Sequence, residues 1–208
     1  MYKLETKDTD YMAIVTTHEC GRNCPFCIDK YRGRKEYISL DDVERALDFA
    51  CDLKVKDIFL TGGEPTNHPL IVEIARMVKD RGFNLVMTTN YENPFVMKCL
   101  DGIVDSFNVS YYGQKELPSQ KDFKSDITLS TIIWQDRFPT QKDLDDLPNS
   151  KYVYAFEFYP AQIYRNHVIM RADLPHIEND VSPWVMFPNG EIVNSWTRKE
   201  EKRMELKK

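Results

Sequence analysis

The sequence predicts an α/β fold: a partial (β/α)6 TIM-like barrel with one open side and a short C-terminal β-hairpin appendage. Three observations carry this expectation. Short β-forming runs alternate with helical periodicities, glycine-rich or polar turns follow the strands, and only six strand-like runs precede the hairpin. Alternation at this spacing implies parallel strands with right-handed crossovers, and six strands are too few to close an eight-stranded barrel of about 250 residues.

Tyr11 to Thr17 is a short β-rich apolar run ending at a cysteine loop, which reads as a buried strand. Ser39 is placed to cap a helix whose first turn holds Asp41 and Asp42, and Val43, Leu47, Ala50 and Cys51 continue its apolar face. Asp57 to Thr61 is the second strand. It ends in Gly62-Gly63-Glu64-Pro65, and His68 to Arg81 then shows helical periodicity through Leu70, Ile71, Ile74, Ala75 and Val78. Asn84 to Asn90 is a third strand, Pro94 to Leu100 a short helix, and Ile103 to Ser110 carries a fourth strand. Ile127 to Trp134 and Tyr152 to Tyr159 supply the fifth and sixth. The barrel core is expected over residues 1–160, with residues 161–208 as an appendage of the same domain. Within it, a hairpin at about 184–196 turns at Asn189-Gly190 in type I′ geometry and partly covers the barrel mouth, and a charged tail runs from Thr197 to Lys208.

The 208 residues, 42% hydrophobic and 12% aromatic, can bury one sizeable core, which excludes a disordered or fibrous chain. A net charge of −5 gives no broad positive field, so duplex nucleic acid is disfavoured as a partner. Neither a membrane-length apolar stretch nor an apolar signal core occurs, and a cytoplasmic location is expected. The five cysteines, three of them within eight residues, point away from a disulfide framework and toward thiolate ligation. Cys51 and Cys99 are expected as small buried hydrophobes, not as ligands of a second cluster.

Cys20-Gly-Arg-Asn-Cys24-Pro-Phe-Cys27 can hold three corners of an iron-sulfur cubane and leave one iron open for chemistry. Structural zinc asks for four closed ligands, so a zinc reading must recruit His18, Cys51 or Cys99. Gly62 and Gly63 permit close backbone approach, and Glu64 offers an acceptor for a cationic amino group, although a plain turn would use the same composition. Thr88, Thr89 and Asn90 end the third strand, and Asn108 and Ser110 the fourth; ordinary polar strand ends would look the same. Arg165 and Arg171 could grip an anionic substrate, or simply be solvated charges.

The Cys-x3-Cys-x2-Cys loop, with Phe26 before its last cysteine, together with the complete Gly-Gly-Glu-Pro, resembles the radical S-adenosylmethionine (SAM) superfamily. The resemblance runs from about Tyr11 to Tyr159. It implies a [4Fe-4S] cluster on Cys20, Cys24 and Cys27, and SAM on the fourth iron. It also implies Phe26 near the adenine, Gly62, Gly63, Glu64 and Pro65 at the SAM amino group, and Asn90, Asn108 and Ser110 among the further SAM contacts. The implied reaction is reductive cleavage of SAM to a 5′-deoxyadenosyl radical that abstracts hydrogen from a small nucleotide-like or amino-acid-like substrate. An electron donor such as flavodoxin or ferredoxin is the implied partner. A glycyl-radical activase, a peptide modifier, and a non-enzymatic zinc or iron-sulfur binding module are the alternatives. Asn194 and Ser195 stand where auxiliary-cluster members carry a cysteine after the hairpin, which disfavours auxiliary-cluster chemistry.

Overall fold

The computed structural model describes residues 11–22, 24, 27, 33–111, 114, 116–134, 152–158, 168–169 and 184–193. The elements run β1 (Tyr11–Val15), α1 (Leu40–Asp52), β2 (Asp57–Thr61), α2 (Ile71–Asp80), β3 (Asn84–Thr89), α3 (Pro94–Leu100), β4 (Ser106–Tyr111), β5 (Asp126–Trp134), β6 (Tyr152–Phe158), β7 (Val168–Ile169), β8 (Trp184–Met186) and β9 (Ile192–Val193). They form one nine-stranded sheet in the order β7-β6-β5-β4-β3-β2-β1-β8-β9. The first six strands are parallel and adjacent in chain order. That is the winding of a barrel wall, and because β7 and β9 end the sheet without meeting, it is an open partial TIM-like barrel.

Strand alternation divides the sheet into two faces. One carries Met12, Ile14, Ile58, Leu60, Leu85, Met87, Phe107, Val109, Ile127 and Leu129, all buried together with the apolar stripes of the helices. In α1 that stripe is Val43, Ala46, Leu47 and Ala50; in α2 it is Ile71, Ile74, Ala75 and Val78, the spacing of a single helical face. Ser39 caps α1 as expected, its Oγ accepting from Asp42 N at 3.1 Å. On the opposite, inner face a smaller apolar group of Ala13, Val15, Val185, Phe187 and Val193 sits under the β1 side.

Several boundaries depart from the sequence reading for identifiable reasons. α2 starts at Ile71, not His68: Pro65 to Asn67 make a 3₁₀ turn, and His68, which precedes Pro69, is held extended at φ −70°, ψ 124°. β4 starts at Ser106, not Ile103, because Ile103 N and Val104 N both bond back to Leu100 O at 3.0 Å and close the end of α3 around Gly102, φ 80°. Between β4 and β5 the described residues hold a 3₁₀ turn at Gln120–Asp122.

Cys51 and Cys99 are exposed rather than buried. Each lies one residue off its helix's buried stripe, next to Ala50 and Leu100 respectively, and one residue is about 100° of helical rotation. The hairpin does not turn in type I′ geometry. Gly190 N donates to Phe187 O at 2.9 Å across Pro188 and Asn189, Asn189 has no positive φ, and Gly190 follows at φ 77°. Pro188 fixes its own φ near −65° and so claims the first central position of an ordinary turn, leaving the left-handed position to the glycine. Within the described residues of the hairpin, β8 pairs in parallel with β1 and extends the sheet. Residues 194–208, with the end of the expected hairpin and the charged tail, lie outside the described residues, as do Arg165 and Arg171. Among the described residues no helix is long and apolar enough to cross a membrane.

Candidate functional site

The segment following β1 is gripped from both sides. Ile38 N donates to Thr16 O (2.9 Å), His18 N to Glu36 O (3.3 Å) and Gly33 N to His18 O (2.6 Å), so the chain leaving for the cysteine loop is pinned to the chain returning from it. On the other side, Thr16 N donates to Thr61 O (2.8 Å), Gly63 N to Thr17 O (2.7 Å) and Glu64 N to Glu19 O (2.7 Å). These bonds bring the Gly-Gly-Glu-Pro turn against the foot of the cysteine loop. At Gly62, φ 151°, an added Cβ would collide with the Thr17 carbonyl, and at Gly63 it would lie 2.7 Å from His18 O. Within the described structure, what the two glycines approach closely is therefore the backbone of Thr17 to Glu19.

Glu64 is fully buried. Its Oε1 accepts from Thr66 N (3.1 Å), Thr66 Oγ1 (2.6 Å) and Thr89 Oγ1 (2.8 Å), and its Oε2 accepts from Asn90 N (2.6 Å). Burial pushes the carboxyl up from its ordinary range, and the Thr66, Asn90 and Thr89 donors oppose that shift. The carboxylate thus ties the end of β2 to the end of β3. Asn93 extends the tie by donating through Nδ2 to Thr66 Oγ1 (3.1 Å) and Asn67 Oδ1 (2.6 Å).

Cys20 and Cys24 are half-buried and Cys27 is exposed; Cys27 N donates to Cys24 O at 3.2 Å, a tight turn that keeps those two residues together. The Cys20 sulfur accepts from Arg22 N (3.4 Å) and Asn90 Nδ2 (3.5 Å). Burial pushes the Cys20 thiol up, opposed by the Arg22 N–H and reinforced by the Glu64 and Glu92 carboxylates and by Cys24; a bound cation would act the other way. Phe26 lies outside the described residues. Among the described residues no three His, Cys, Asp or Glu side chains converge at metal-holding distance. The donor set itself, three thiols on one loop at a strand end, is the chemistry of an iron-sulfur site with one open corner. A fourth protein ligand from Cys51 or Cys99 is hard to supply, since α1 and α3 carry them back toward the N-terminal ends of the strands.

Asn108 and Ser110 lie on the inner face at the C-terminal end of β4, in register with Thr88 and Thr128, and with Ser130. The Asn108 Oδ1 is buried and has no hydrogen-bond partner among the described residues. An orphaned acceptor beside a row of hydroxyls fits a small polar ligand that brings its own donors. Sequence reasoning placed Asn90 and Glu64 at the site but missed Glu92 and Gly21, which join them. Glu92 Oε2 accepts from Gly21 N (3.3 Å) and Asn90 Nδ2 (3.4 Å). No local pattern marks a glutamate in an ordinary loop as a neighbour of a cysteine far upstream.

Residues 14–112 match the model of the Radical SAM superfamily. A probable GTP 3′,8-cyclase of Pyrococcus horikoshii is 31% identical over 102 residues, which are 48% of this chain and 33% of that protein. A protein assigned as a glycyl-radical enzyme activating enzyme in Methanocaldococcus jannaschii is 33% identical over 75 residues, 36% of this chain and 29% of that protein. The chain thus spans about a third or less of either relative. The crystal structure of Streptococcus suis SuiB superposes with a TM-score of 0.58 over 78% of this chain and 42% of that chain; at 16% identity the likeness is one of fold.

Proposed function

We propose that the chain is a radical SAM enzyme that works with a [4Fe-4S] cluster and cleaves SAM to act on a small nucleotide-like or amino-acid-like substrate; the match of residues 14–112 to the superfamily's model supports this reading. The observation that carries the reading is the bonding of the Gly-Gly-Glu-Pro turn to Thr17 and Glu19, directly at the foot of the Cys20, Cys24 and Cys27 loop. It joins the two sequence motifs into one site.

In this reading Cys20, Cys24 and Cys27 hold the cluster and leave one iron open. A cluster bound there would supply the single electron for reductive SAM cleavage and hydrogen abstraction from the substrate. In the Gly62-Gly63-Glu64-Pro65 segment the half-exposed glycines face the methionyl amino group, while the buried Glu64, held by Thr66, Thr89 and Asn90, and the buried Pro65 fix the turn behind them, with Phe26 toward the adenine. Asn108 and Ser110 offer acceptors farther along the inner face, where the unpartnered Asn108 Oδ1 takes up a donor of the ligand. Asn90 stands at the rim between cluster loop and SAM. An electron donor such as flavodoxin or ferredoxin supplies the electron.

The likeness to the M. jannaschii protein favours a second reading, in which the substrate is a glycyl-radical enzyme. Anaerobic reconstitution followed by measurement of 5′-deoxyadenosine tests the first step shared by both. The expected outcome is about four irons and four sulfides per chain and SAM-dependent 5′-deoxyadenosine, with both lost in Cys24→Ala and both retained in Cys51→Ala and Cys99→Ala. A protein that takes up zinc alone and releases no 5′-deoxyadenosine would establish the binding-module alternative instead.

A further inference from the structure

We infer that Asn90 is a positioning residue for the cluster loop, its side-chain amide donating to the Cys20 sulfur and raising the reduction potential of the cluster held there; the inference rests on the cluster reading above. Asn90 Nδ2 lies 3.5 Å from Cys20 Sγ, a separation of 70 residues in sequence.

The orientation of the amide is decided by its other end. Asn90 Oδ1 accepts from Glu92 N at 2.8 Å, and a backbone N–H can only donate, so the oxygen must face Glu92 and the NH₂ must face the sulfur. The surrounding bonds allow little freedom. Glu64 Oε2 takes the Asn90 N–H (2.6 Å) and Thr89 Oγ1 takes the Tyr91 N–H (3.1 Å), while Tyr91 sits in the left-handed region at φ 60°. From the cysteine loop, Arg22 Nη2 donates to Asn90 O at 3.3 Å. Glu92 completes the link by accepting from Gly21 N (3.3 Å).

The chemistry follows from charge. Reduction adds an electron that is shared by the cluster sulfurs and their thiolate ligands, so an N–H aimed at a ligand sulfur stabilises the reduced state more than the oxidised one and raises the potential. The Glu92 carboxylate beside the same amide acts in the opposite sense. Asn90 and Glu92 form an opposed pair, one lifting and one lowering the potential.

The test is a redox titration of the reconstituted protein followed by electron paramagnetic resonance, without SAM. Asn90→Ala should lower the midpoint, shifting the ratio of reduced to oxidised cluster at fixed poise by about tenfold, which is about 59 mV for a one-electron couple. Glu92→Gln should shift it upward. Asn90→Asp keeps the acceptor for Glu92 N and sets a negative charge near the sulfur; it should fall below wild type and serves if Asn90→Ala fails to assemble. An unmoved midpoint in cluster-loaded Asn90→Ala or Asn90→Asp, even with a lowered melting temperature, overturns the inference and leaves the cluster reading intact. Wild-type protein that assembles no cluster overturns both.

Discussion

Phe107 and Asn108 are consecutive residues of β4 on opposite faces of the sheet, and the two faces follow different rules. Phe107 is fully buried on the helix side, its ring meeting Phe123 edge-on with centroids 6.0 Å apart. Every strand position around it is apolar, so what that face requires is volume. Asn108 looks the other way, between Thr88 and Thr128, and its oxygen has no partner among the described residues. A buried acceptor left unpaired is a cost to the fold, and its place beside a hydroxyl row at the C-terminal strand ends is where a barrel collects ligand-binding groups. The comparison teaches that β4 packs with one face and leaves the other for what binds there, whereas under β1 the inner face is apolar as well.

The largest effect that tests this division is expected from Phe107→Ala. It should cost about 3–5 kcal/mol in urea unfolding, the sum of lost transfer energy and a cavity. A loss below about 1 kcal/mol would mean that the helix face is not the principal core.

The rim between the faces should give a smaller, pH-dependent effect. His68 is buried, with Nε2 3.0 Å from Ile38 O and Nδ1 accepting from Leu70 N at 3.0 Å, which requires the neutral ring with its proton on Nε2. Burial lowers its pKa, with the bond to Ile38 O opposing. The folded state therefore resists a proton that the unfolded chain accepts. The His68 contribution is complete above the ordinary histidine value of about 6.5 and is lost as pH falls toward the depressed folded value. Unfolding measured from pH 7.5 down to 5 should show stability falling by no more than about 1.4 kcal/mol per pH unit from this residue. In His68→Gln that part of the slope should vanish; an unchanged slope would mean the ring accepts its proton when folded.

The smallest effect belongs to Asn108→Ala. Removing an unpartnered oxygen relieves that cost while losing some side-chain packing, so the ligand-free fold should change by no more than about 1 kcal/mol. A loss above about 2 kcal/mol in the same urea titration would show that Asn108 supports the fold, and the contrast with Phe107 would collapse.

Much of this was legible in the residues. The alternation of strand and helix, the Ser39 cap and the apolar stripes of α1 and α2 all depend on neighbours within a few positions, and local periodicity reports them. So does the donor set Cys20, Cys24 and Cys27 beside Gly-Gly-Glu-Pro. Where the local reading failed, a local cause was often visible afterwards. Pro69 delays α2, Pro188 displaces the hairpin turn, and a one-residue rotation exposes Cys51.

The tertiary structure alone decided the rest. That Gly62 and Gly63 pack on Thr17 to Glu19, that Asn90 faces Cys20, and that Arg45 reaches Gly190 O at 2.7 Å across 145 residues all depend on which strands are neighbours and in what register. Strand order and register are settled by burying one whole face against the helices. No segment carries them in its own pattern, because each strand's alternation says which residues share a face and not which strand lies alongside.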